Sequence, residues 1–116
     1  MNETTRPPGK TTIDPGVLLT IARMTTLSVK GVSRMGDVPA NVKGFFQRKQ
    51  EQGVSISVED LLVDVDVYVI LNEGAHIHET SRSVQYEISR AISEMVGMEV
   101  GRINVHIEDI DYPEFE

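Results

Sequence analysis

The chain predicts an α+β fold, a two-layer sandwich with two helices on one face of a mainly antiparallel sheet of four or five strands. Three observations carry this. Two segments, one opening at Asp14-Pro15 and one at Ile77, repeat their apolar residues at helical spacing. Three others, VSISV, LLVDVDVYVIL and RINVHIEDI, alternate apolar and polar residues instead. Finally, 116 residues suffice for one core and leave no room for a second domain of ordinary size.

Taken in order, residues 1–11 are polar and without period, and read as a flexible N-terminal arm that lacks the apolar stretch of a signal peptide. A single domain is expected over 12–110, opened by a short strand at Thr11–Ile13. Asp14 is placed to cap a helix and Pro15 to occupy its first turn. Val17, Ile21, Met24 and Ser28 share one side of that helix, flanked by Leu18, Ala22 and Thr25. Lys30-Gly31 ends the period, and 31–38 is expected as a short strand. Residues 39–53 have no sustained period and are expected as a loop between Pro39 and Gly53. Two strands follow, with a tight turn at Glu59-Asp60. From Ile77 the apolar stripe runs through Ser81, Val84, Ile88, Ala91, Ile92 and Met95, and Gly97 is placed to end it. The last strand sets Ile103, Val105 and Ile107 on one side. Residues 111–116 form an acidic tail.

Composition excludes several chemistries. There is no cysteine, so thiolate metal sites, disulfides and cysteine nucleophiles are impossible. No apolar run approaches the roughly 18 residues of a membrane span. The net charge of −7 is unevenly spread. Residues 1–50 hold eight Lys/Arg against three Asp/Glu, and 51–116 hold three against fifteen. The acidic total argues against non-specific nucleic-acid binding, although the basic first half leaves RNA binding through Lys43–Lys49 as a weaker alternative.

Asp64 and Asp66 are the first candidate site. With His106 they would make a metal site if their strands lay side by side. Yet on a strand they point away from Val63, Val65 and Val67, together with Leu62, Tyr68 and Ile70. Same-face neighbours sit about 7 Å apart, too far to share a small divalent ion without further ligands. They read as the solvated face of a sheet. His76-Ile77-His78-Glu79 fits neither the zinc-protease nor the deaminase pattern, and no nucleophile elbow or phosphate-binding glycine motif occurs. The chain is therefore expected to be no enzyme and to hold no cofactor.

Candidate partner-binding residues are of three kinds. Lys43, Phe45, Phe46, Arg48 and Lys49 form a basic–aromatic cluster in the 39–53 loop. Tyr68 and Ile70 stand among the aspartates on the face without helices, where apolar area would favour a homo-oligomer through that face or a sheet edge. Tyr86 lies opposite the apolar stripe of the second helix, between Arg82 and Arg90, positioned either to stack on them or to bind a partner.

The stretches IDPGVLLTIARMTTLSVKGVSRMG, GVSISVEDLLVDVDVYVILNEG and HIHETSRSVQYEISRAISEMVGMEVGRINVHIEDI resemble a known group in order and spacing. This is the alkaline shock protein 23 / general stress protein 24 family of bacterial envelope stress response proteins, whose members share a second-helix glutamine (here Gln85), a methionine–x–glycine after it and a VNV-like last strand. The resemblance implies a cytoplasmic, non-enzymatic protein, with membrane association through a small membrane-anchoring protein in some branches and links to lipid-metabolism enzymes in others. A regulatory module binding an enzyme or ligand of fatty-acid metabolism is thus the alternative to a scaffold. The 39–53 segment and the short acidic tail depart from typical members.

Overall fold

The computed structural model describes residues 13–39 and 49–113. The arm and the end of the tail lie outside them, as do Thr11 and Thr12; Ile13 is not in a strand. Helix α1 spans Pro15–Leu27. Asp14 is extended, and its Oδ1 accepts the Gly16 N–H at 2.9 Å, supplying one of the acceptors a helix start lacks. The buried side of α1 is Leu18, Leu19, Ala22 and Thr26, which corrects the expected side; Val17 and Met24 are exposed. Two leucines bury more apolar area than a valine and one end of a methionine, and Ala22 permits close approach. Thr26 tolerates full burial because its hydroxyl donates to the Ala22 carbonyl at 2.7 Å.

Five strands form one sheet: β1 (Val32–Met35), β2 (Lys49–Glu51), β3 (Val54–Glu59), β4 (Leu62–Asn72) and β5 (Glu99–Asp111). The long β4 is the centre. Antiparallel β3 pairs with its first half, from Glu59↔Leu62 to Val54↔Val67, and antiparallel β1 with its second half. β2 pairs antiparallel with β3, and β5 runs parallel to β4 along almost its whole length. β1 and β3 thus lie end to end on one edge of β4. Tyr68 is the join. Its N–H donates to the Gly53 carbonyl at 2.8 Å, and its carbonyl accepts the Gly36 N–H at 2.6 Å. Gly53 has φ +83°, and a Cβ there would stand 2.6 Å from the Gly36 oxygen, so only glycine fits.

The expected 39–53 loop therefore ends early. β2 hides in the polar run Lys49–Glu51 and returns into β3 through Gln52 and Gly53, both with positive φ, as a two-residue hairpin demands. Its side chains carried no alternation to betray it.

Helix α2 spans Ile77–Val96 and closes on left-handed Gly97, whose N–H donates to the Ser93 carbonyl. Its buried row is Thr80, Val84, Ile88 and Ile92, while Ile77 and Met95, at the ends of the expected stripe, are exposed. The core lies between both helices and the inward residues Val54, Ile56, Val63, Val65, Val67, Val69 and Leu71. β5 adds Val100, Ile103, Val105, Ile107 and Ile110 as partly buried members. Two irregularities, one between Val100 and Ile103 and one after Ile107, each insert a residue into β5 and keep all five turned toward the helices.

Candidate interaction surface

On the sheet face away from the helices, the two aspartates are engaged across the β4–β5 pair. Asp66 accepts from Asn104 Nδ2 at 3.1 Å and from His106 Nε2 at 2.9 Å. The His106 ring stacks on Tyr68, with centroids 4.3 Å apart and planes 10° from parallel. Asp64 Oδ1 accepts the Arg102 backbone N–H at 2.9 Å. A Cβ at Gly101 would stand 2.6 Å from that oxygen, so glycine leaves the carboxylate its place. Asp66 and His106 do meet, as the metal hypothesis required, but Asp64 is turned to the backbone. Among the described residues, no three His, Asp or Glu side chains gather as metal ligands.

Tyr68 and Ile70 lie on this face as the alternation demands, yet they are 5% and 8% exposed and present no open apolar area. That corrects the expected contact patch. Beyond the His106 stack, side chains of β5 reach across β4 to β1. Asp111 Oδ2 accepts from Ser33 Oγ at 2.6 Å and from Arg34 Nε at 3.4 Å, and Glu108 Oε1 accepts the Asp37 N–H at 3.4 Å. The Ser33 hydroxyl, with Arg34 adding to it, holds the Asp111 carboxyl below its ordinary range. Ser55 and Val38 are buried as well, outside the helix-side core. Alternation along one strand reveals which face a side chain takes, but not what crosses over it.

The outer edge of β5 is different. The polar backbone groups of Tyr68 point to β1 and β3, so those of Val65, Val67 and Val69 point to β5. In a parallel pair the partners of these residues, Ile103, Val105 and Ile107, turn their own N–H and C=O groups away from β4. Among the described residues no strand lies beyond β5. One of these groups has a side-chain partner: Gln85 Nε2 donates to the Ile103 carbonyl at 2.8 Å. The sequence signal for this edge was the length of the last alternating run; that it would have a neighbour on one side only was not legible.

The profile of the alkaline shock protein 23 family, described as having a cell envelope-related function, matches residues 3–112. The chain belongs to this family. A Bacillus subtilis relative, the uncharacterised protein YqhY, is 30% identical over 106 residues, covering 90% of this chain and 78% of its own. A Streptococcus pyogenes relative, the uncharacterised protein Spy1614, is 28% identical over 99 residues, covering 81% of each. No solved structure matches. In this family member Gln85 ties α2 to the outer edge of β5.

Of the other expected sites, Tyr86 is 64% exposed on α2. Arg90 bonds Glu94 at 3.2 Å and lies 3.5 Å from Glu87, and among the described residues no cation–π contact is made to Tyr86. Its ring is left facing outward in this family member. Lys43, Phe45, Phe46 and Arg48 lie outside the described residues, and Lys49 is placed only as the start of β2. A cleft of about 420 Å³ opens at the start of α2 between Lys30, His76, Glu79 and Thr80, with opposite charges on its walls. Among the described residues no helix is long and apolar enough to cross a membrane.

Proposed function

We propose that this family member is a non-catalytic cytoplasmic adaptor or scaffold of the bacterial envelope and alkaline stress response, acting by self-association and protein contact. The observation that carries the reading is the outer edge of β5, a 13-residue strand paired on one side only among the described residues. Such an edge is a ready template for another chain and an aggregation hazard where nothing covers it. The carboxylates on the opposite face are bonded within the sheet, which favours binding over chemistry. Membrane association would come through a partner.

The test is light scattering on tag-free protein at tens of micromolar, followed by fractionation of native cells. The scaffold reading expects an oligomer that sediments with the envelope fraction. A monomer confined to the soluble fraction, changing the rate of a fatty-acid-metabolism enzyme, would replace it with the regulatory alternative.

A further inference from the structure

We propose that β5 pairs antiparallel with β5 of a second copy, about a two-fold axis passing through Val105. The inference rests on the self-association reading and assigns it a surface and a register.

The apolar residues of β5 are spaced as a palindrome. Val100, Ile103, Val105, Ile107 and Ile110 stand five and two residues before the centre, at it, and two and five after it. The two wider steps are where β5 carries its inserted residues, one between Val100 and Ile103 and one between Ile107 and Asp109. An isologous contact requires each residue to meet its mirror mate, and a strand whose kinks and apolar residues are both symmetric about one point satisfies this on its own. The backbone agrees. Ile103, Val105 and Ile107 turn their N–H and C=O groups outward, so two Val105 residues exchange both bonds at the axis and Ile103 pairs with Ile107 of the other copy.

The central charges agree too. On the face away from the helices this register sets Arg102 opposite Glu108 and Asn104 opposite His106, while the like-charged Glu99 and Asp111 meet only at the strand ends. Moving the axis by two residues, to Ile107, sets Val105 against Asp109 and Ile103 against Asp111, ruining the apolar row. Gln85 uses one lone pair of the Ile103 carbonyl, and a carbonyl offers two, so the incoming Ile107 N–H still finds an acceptor. One turn to either side of Gln85 the helix carries Ser81 and Ser89, small enough for the two α2 helices to approach.

The chain has no cysteine, so introduced thiols report alone. Asn104 and His106 would form a non-hydrogen-bonded pair across the axis, with Cα atoms about 4.5 Å apart, within disulfide reach. Asn104→Cys and His106→Cys proteins, each checked by circular dichroism, are oxidised separately and mixed. The expected result is a disulfide dimer in the mixture and none in either alone, because like positions lie two residues out of register. In parallel, Arg102→Glu or Glu108→Arg alone should weaken the dimer about tenfold, and the double exchange should restore it. A protein that is oligomeric by light scattering but does not link in the mixture, or links equally in each single variant, overturns the register and leaves self-association standing. A monomer throughout overturns both.

Discussion

The side chain of Gln85 donates from α2 to the carbonyl of Ile103 on β5 at 2.8 Å, so the helix holds the outer edge of β5, which no strand covers among the described residues. Replacing Gln85 by Ala removes that donor at an exposed site, where water can take its place. The expected loss is about 0.5–1.5 kcal/mol, read as a lower urea midpoint with an unchanged slope. A loss several times larger would mean that Gln85 secures the packing of α2 as a whole.

Gly53 and Gly74 form a controlled pair. Both have positive φ, +83° and +86°, but a Cβ at Gly53 meets the Gly36 oxygen at 2.6 Å whereas one at Gly74 meets nothing within 4 Å. Gly74→Ala should cost about 1 kcal/mol, from backbone strain alone. Gly53→Ala should cost more than twice that, since backbone rather than a flexible side chain must move. Thermal unfolding of the two variants side by side decides it; equal costs would show that the Tyr68 join yields easily.

Asp111 gives a pH dependence. Its carboxyl is held below the ordinary value of 3.8, first by the Ser33 hydroxyl and then by Arg34. A depressed carboxyl contributes stability that is fully present above the unfolded value and is lost as pH falls through the folded one. Ser33→Ala should therefore be less stable than the parent at neutral pH, and the gap should close as pH drops through and below 3.8. A gap constant across that window would assign the effect to packing.

Asp64 and Asp66 should differ from metal ligands in what their loss does. Purified protein is expected to carry no stoichiometric metal by elemental analysis. Asp64→Asn keeps an oxygen for the Arg102 N–H and should be nearly silent. Asp66→Ala leaves both Asn104 and His106 without their acceptor and should cost about 1–3 kcal/mol. Stoichiometric metal that disappears in Asp64→Asn would overturn this account.

Much of this fold was legible because its signals are local. Asp14-Pro15 and Gly97 mark helix ends by their own backbone chemistry, and the three alternating runs fall within β3, β4 and β5. In β5 even the irregularities were written in the spacing, where two steps of three interrupt steps of two at Val100–Ile103 and Ile107–Ile110. What stayed hidden depended on partners distant in sequence. The buried side of α1 could be chosen only once α2 and the sheet were placed, since Leu18 and Val17 are equally apolar on paper. β2 consists of polar residues whose sole qualification is pairing with β3. Tyr68 and Ile70 read as exposed because the Asp111 and Glu108 side chains that cross β4 come from about forty residues away. The candidate surface follows the same rule: the palindrome is in the sequence, but only the strand order shows that its edge has no neighbouring strand among the described residues.

The join at Tyr68 has a consequence for loop-closure entropy. Gly36 and Gly53 both bond a single residue of β4, so the two ends of the segment between them, which includes β2, are held at one hydrogen-bonded site. The ends stay together whatever separates them, and doubling the length of a flexible segment raises the cost of closure by only about 0.6 kcal/mol. Residues added between β1 and β2 would therefore leave the pairing of β1 and β3 with β4 in place.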